Sequence, residues 1–133
     1  MDRKELINKL DREFSRYIRV VHSVDGITHC VTCQWADYWE NMDCGHYMSR
    51  KHMFTRWDPD NARPQCKKCN QFYGGKPKEF RFFLGEKLAD QMEADSRKTC
   101  KWTNEELSDM LSIYRKLNKA LKNDSKPRQG ENP

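Results

Sequence analysis

The sequence predicts a small α+β fold in which a polar hairpin is clasped by a four-cysteine zinc site and flanked by helices at both ends. Three observations predict it. Two C-x-x-C pairs, Cys30 with Cys33 and Cys66 with Cys69, enclose an interval of 32 residues. Apolar residues recur at spacings of three and four on either side of that interval. The 133-residue chain, 36% hydrophobic and 34% charged, can build only a modest core that a bound metal would reinforce. The expected organisation is one domain over 1–122. Its core spans about 28–76, its flanking helices about 2–21, 77–94 and 103–122, and a disordered polar tail covers 123–133.

The first element, from Asp2 to about Val21, reads as an amphipathic helix. Asp2 followed by Glu5 matches a capping box, and Leu6, Leu10, Phe14, Tyr17, Ile18 and Val21 share one face. The basic residues between them, Arg19 included, make a polar outer face, the usual reading for a surface helix. His22 to His29 follows with an Asp25-Gly26 turn signal, suited to a hairpin or loop that leads into Cys30.

Four thiolates in two C-x-x-C turns suit tetrahedral zinc, because each turn aims two sulfurs at one centre. The 32-residue interval exceeds the roughly 12 to 20 residues of many zinc ribbons and fingers, so it has room for a site of its own. A disulfide framework is the competing reading of six cysteines. It is disfavoured by the cytoplasmic placement expected of a chain with neither a run of about 18 apolar residues nor a signal-peptide pattern. Cys44 and Cys100 lack C-x-x-C partners and are expected as free thiols.

Inside the interval, Trp35, Tyr38 and Trp39 can stack nucleic-acid bases, but a small domain with little aliphatic content favours burying such rings in the core. Asp43 to Arg50 then reads as a strand and its exit. After Asn70 a short helix is expected to stop at Gly74-Gly75. Pro77 can open a helix to about Ala94 with the stripe Phe80, Phe83, Leu84, Leu88 and Met92. In the last helix Thr103 and Glu106 form a capping box before Leu107, Met110, Leu111, Tyr114, Leu117 and Leu121. That stripe suits either a homodimer or packing on the first helix.

The net charge of +5 is unevenly spread. From Met48 to Arg81 nine basic residues face three acidic ones, so the rest of the chain is close to neutral. Solvated lysines are the ordinary reading of such a run. Its coincidence with the cysteine interval instead suggests a footprint for a phosphate backbone.

The run C-V-T-C, D-C-G-H-Y-M-S-R and D-N-A-R-P-Q-C-K-K-C-N resembles the zinc-containing ββα-metal (HNH) nucleases, and within them the lambda NinG (Rap) family of phage recombination proteins. The resemblance covers roughly Ser15 to Leu121. It implies an HNH-like ββα core and a phosphodiester hydrolase. Its catalytic residues would be His46, Asn61 and Asn70: His46 as general base, Asn61 bracing the loop that orients it, Asn70 a ligand of a catalytic Mg²⁺ or Mn²⁺. Many members of the wider group carry a ligand directly before the base, where this chain has Gly45. Asp43 is the expected substitute, although strand alternation sets it on the opposite face from His46, and His52 is the other candidate. The metal residues expected are thus Cys30, Cys33, Cys66 and Cys69 for structural zinc and Asp43, Asn70 and His52 for the catalytic ion. Arg50, Lys51, Arg63, Lys67 and Lys68 are expected to hold DNA, the arginines by a fork that matches two phosphate oxygens.

The resemblance, added to these features, implies a metal-dependent endonuclease acting on branched or single-strand-containing DNA during phage recombination, in the cytoplasm, alongside host or phage recombination proteins. A zinc-knuckle nucleic-acid-binding protein without catalysis is the alternative, and a zinc-stabilised helical adaptor is a third. No membrane partner is expected.

Overall fold

The fold, given by a computed structural model, is described over residues 1–124. Helix α1 spans Arg3–Val21, with the Asp2 carboxylate accepting the Glu5 N–H at 2.8 Å as its N-cap. Its stripe Leu6, Leu10, Phe14 and Ile18 is buried, whereas Val21 at its end is 41% exposed. Asp25-Gly26 forms a tight turn, both residues at positive φ, between the mutually bonded Val24 and Ile27.

Two antiparallel hairpins follow. In the first, β1 (Ile27–His29) pairs with β2 (Ala36–Tyr38), and the first cysteine pair occupies the loop between them. In the second, β3 (Met42–His46) pairs with β4 (Ala62–Cys66) in unbroken register from Met42↔Cys66 to His46↔Ala62. No bulge therefore reorients Asp43, and its side chain and that of His46 leave opposite faces of the strand. The Val31 N–H donates to the Pro64 carbonyl at 2.9 Å, tying the first cysteine loop to β4.

The short helix expected after Asn70 is a single π-helical turn, Lys68–Phe72, closed by the Tyr73 N–H on the Lys68 carbonyl. The helix expected over 77–94 is two: α2 (Pro77–Leu84) and α3 (Glu86–Ser96) break at Gly85, whose φ of 91° no helix can continue. The stripe changes accordingly. Phe80, Ala89 and Met92 are buried, while Phe83 is exposed. Tyr47 joins this pair to β3 by packing on Phe80 and donating to Glu93, which also accepts from Arg81.

Helix α4 (Asn104–Asp124) starts with the capping box its sequence announces, Thr103 and Glu106 exchanging two 3.0 Å bonds. Leu107, Leu111 and Tyr114 pack with Leu6, Leu10, Phe14 and Ile18 of α1 around Trp57 and Ala62. Intramolecular packing thus accounts for most of the α4 stripe, although Leu117 remains 38% exposed. The polar tail was expected from 123, yet α4 runs to Asp124, and 125–133 lie outside the described residues.

The aromatic run departs most from expectation. Trp35 and Tyr38 are 59% and 49% exposed, and Trp39 lies half-buried beneath the guanidinium groups of Arg16 and Arg19 at 5.0 and 5.1 Å. The hairpin carrying them has only three residues per strand, too short to fold these rings against the α1–α4 core.

A candidate metal centre and the groove beside it

The sulfurs of Cys30, Cys33, Cys66 and Cys69 all lie within 4.8 Å of one another, and those of Cys33 and Cys66 are 3.8 Å apart. A zinc tetrahedron with bonds of about 2.3 Å has edges of about 3.8 Å, so four cysteines are positioned to hold a metal ion and their soft sulfur set suits structural zinc. The supporting bonds suit thiolates as well. The Cys69 N–H points to Cys66 Sγ at 3.4 Å, and the Thr32 hydroxyl lies 3.4 Å from Cys30 Sγ. Buried Gln65 donates its Nε2 to Thr32 Oγ1 at 3.0 Å and to the Gly75 carbonyl at 2.8 Å, linking both cysteine loops to the glycine turn.

Beside this centre a polar groove of about 530 Å³ runs along the unpaired edge of β3. Helix α1 lines one wall with Asp11, Ser15 and Arg19; Asp43, Cys44 and His46 come from β3, and Asn70 with Gly74-Gly75 from beyond the second cysteine pair. Because the groove follows the strand edge, residues from both faces of β3 reach it. His46, Asp43 and Asn70 are therefore brought to one cavity.

His46 sits against Phe14, ring centroids 5.8 Å apart, with Nε2 3.0 Å from the Arg56 carbonyl oxygen. A carbonyl only accepts, so Nε2 carries the hydrogen and Nδ1 keeps the lone pair in the neutral ring. Burial pushes the imidazole below its ordinary pKa of 6.5, outweighing the carbonyl's opposite pull, so the ring is neutral at pH 7. Asn61 is fully buried behind it. Its Oδ1 accepts the Met48 N–H at 2.8 Å, and its Nδ2 donates to the carbonyls of Met48 and Thr55 at 2.9 and 3.2 Å. One amide thus closes the 48–55 loop at both ends.

The Asp43 carboxylate takes Lys67 Nζ at 2.8 Å on one oxygen, and Asn70 Nδ2 at 2.9 Å and Gln71 Nε2 at 2.8 Å on the other. Partial burial opposes its ionisation, but these three donors hold its pKa below the usual value. The Asn70 amide donates to Asp43, so its carbonyl oxygen is the atom left to offer a cation. Asp43 and Asn70 thus bring carboxylate and amide oxygens side by side, with both Asp43 oxygens already accepting from nitrogen donors. A Cβ at Gly45 would lie 2.3 Å from Gln65 Oε1 and 2.8 Å from Gln65 Cβ, so any side chain there must displace Gln65. The space beside Gly45 is filled by the glutamine that braces the cysteine loops.

Other predicted residues divide. Arg50 lines the groove, 3.7 Å from Asp11, and exposed Lys51 adjoins it in the loop. Lys67 stands on the groove's rim, whereas Lys68 belongs to a second cleft beside the four-cysteine cluster. Arg63 is not in the groove lining. Its guanidinium is half-buried and donates to the Pro59 and Ala62 carbonyls at 2.9 and 2.7 Å, where it closes the turn before β4 instead of waiting for phosphate. His52 lines a separate depression with Tyr47, Met48 and Glu93, which separates it from Asp43 and Asn70. Burial pushes the Cys44 thiol up to about 12, so it packs as a protonated apolar group.

Sequence reasoning missed Asp11, Ser15, Arg19, Arg56 and Gln65. Asp11 Oδ1 accepts Arg56 Nε at 3.1 Å and Trp57 Nε1 at 2.8 Å, while Oδ2 accepts Arg56 Nη2 at 2.7 Å. Asp11 thereby fixes the residue whose carbonyl orients His46. One signal existed: Asp11, Ser15 and Arg19 recur every four residues, a polar stripe bordering the apolar one.

The comparisons with known proteins come from one direction. No curated protein and no solved structure matches the chain significantly. A family model described as bacteriophage lambda NinG protein matches residues 1–124. No helix among the described residues is long and apolar enough to cross a membrane. With nearly its whole length matched, the chain belongs to the bacteriophage lambda NinG protein family.

Proposed function

We propose that this protein is a metal-dependent DNA endonuclease of HNH type, hydrolysing phosphodiester bonds in branched or single-strand-containing DNA during phage recombination. The observation that carries the reading is His46 in the groove, neutral and held by Nε2 on the Arg56 carbonyl, in the same cavity as Asp43 and Asn70. A ring so fixed can take a proton from water at Nδ1. Asn61 keeps the loop that carries the histidine's acceptor in place. Arg50 and Lys67 provide cationic groups at the rim for the phosphate on either side of the scissile bond. A divalent ion, held by Asp43 and Asn70, would supply charge stabilisation at the leaving 3′ oxygen when bound. The products would be a 5′-phosphate and a 3′-hydroxyl.

In this reading the hairpin β3–β4 and the π turn that follows stand where an HNH nuclease has its ββα motif, with the zinc joining the turn to the first hairpin. The second reading is nucleic-acid binding without catalysis. The observation that favours it is the placement of Lys68, Lys76 and exposed aromatic rings outside the groove.

The test is cleavage of labelled four-way junction, flap, duplex and single strand by zinc-loaded protein with Mg²⁺ or Mn²⁺, and with EDTA. General-base catalysis contributes about 10² to 10⁴ in rate. The expected result is divalent-dependent cutting that His46→Ala lowers by about that factor while binding is retained. Binding of every substrate with cleavage of none would transfer the assignment to the second reading.

A further inference from the structure

Two half-exposed rings flank a second cleft, of about 850 Å³, whose floor is formed by Cys33, Cys66 and Cys69. Trp35 contributes from the first cysteine loop and Tyr73 from the end of the π turn, 59% and 52% exposed. Three lysines, Lys67, Lys68 and Lys76, line the walls together with Asp37 and Asn41, and Lys68 and Lys76 hold their ammonium groups over the Tyr73 ring at 5.8 and 5.0 Å. The rings are fixed by backbone that has little freedom. The Trp35 carbonyl accepts the Cys30 N–H at 2.8 Å, and the Tyr73 N–H closes the π turn on Lys68.

We infer that this cleft receives an unpaired nucleobase of the strand bound in the groove, stacked on Trp35 or, as Lys68 and Lys76 leave its ring for the flanking phosphates, on Tyr73. This deepens the nucleic-acid reading above and rests on it. The chemistry is specific in two respects. Flat aromatic faces among cations match a base joined to phosphates, since every base has a π-face and every linkage a negative charge. A base stacked in duplex cannot offer its face to a ring, so only a single strand, flap or branch point can use the cleft. Lys67 lines both cavities, so groove and cleft adjoin at that residue.

The test measures binding, without divalent ions, by fluorescence anisotropy of a labelled oligothymidine and of a blunt duplex of equal length. Zinc-loaded full-length protein, Trp35→Ala, Trp35→Phe and Tyr73→Ala are compared at one salt concentration, with zinc content confirmed for each. Base–aromatic stacking is lost with the ring, so Trp35→Ala and Tyr73→Ala should each weaken single-strand binding about tenfold and duplex binding less than twofold. Trp35→Phe should recover most of the loss, which a damaged fold would not do. With divalent ions absent the result is independent of catalysis. Equal losses on both DNAs, or none on either, would overturn the stacking assignment. Cleavage of the panel above would then still decide the nuclease reading.

Discussion

The pair Asp11–Arg56 gives a quantitative test of how the groove is built. It joins α1 to the loop before β4 through two charge-assisted bonds of 2.7 and 3.1 Å, with side chains only 19% and 18% exposed. Truncating one partner of a fully buried pair costs about 3–5 kcal/mol, whereas exposed pairs are worth about 0–1 kcal/mol. At roughly one-fifth exposure the loss for Asp11→Ala should be about 2–3 kcal/mol. Part of that belongs to Trp57, whose indole N–H loses its acceptor, and part to Arg50 at 3.7 Å. A double-mutant cycle with Arg56→Ala removes both contributions, because they occur with and without Arg56. The expected coupling is about 1.5–2.5 kcal/mol, read from urea unfolding of the four zinc-loaded proteins. The Arg56 carbonyl is the acceptor for His46 Nε2, so cleavage by Asp11→Ala should fall further than its folded fraction explains. A coupling below about 0.5 kcal/mol would refute the claim that this ion pair fixes the loop.

Gly45→Ala should destabilise the protein by about 1–3 kcal/mol, seen as a lower urea midpoint, because the new methyl overlaps Gln65; wild-type stability would show that Gln65 yields freely. Chelation of zinc should abolish the cooperative unfolding transition and collapse far-UV circular dichroism, since structural zinc contributes about 10–16 kcal/mol of binding coupled to folding. An unchanged melting temperature after verified metal loss would exclude a structural role for the four cysteines. If His46 is the general base proposed above, its neutral form is the active one and burial lowers its pKa, so activity should persist below the ordinary value of 6.5 and fail only as pH drops through the depressed one. An acid limb centred at or above 6.5 would contradict that environment.

Much of the architecture was legible from local signals. The capping pairs Asp2/Glu5 and Thr103/Glu106 marked helix starts that the structure reproduces bond for bond at the second. The C-x-x-C spacing located the metal centre because two such turns constrain four sulfurs whatever lies between them. Gly85 was present in the sequence but was overrun by the apolar stripe Phe80 to Met92, since periodicity alone does not report a positive φ. The exposed Trp35 and Tyr38 illustrate a different limit. Composition says that a small domain wants its rings inside, but Trp35 in the first cysteine loop and Tyr38 at the end of a three-residue strand stay exposed, outside the α1–α4 core.

By itself, then, the sequence determined the elements whose cause is local: the end helices, the cysteine loops, the strand before His46 and the basic centre of the chain. Which side chains share a cavity was decided by tertiary structure. Asp11 meets Arg56 across 45 positions, and Asp43 meets Asn70 across 27. His52, six residues from His46, is turned to another face. Sequence distance sets only what the chain can reach. The packing of α1 against the β3–β4 hairpin sets what it touches, because burying the Leu6–Ile18 stripe fixes which polar residues beside it face the groove.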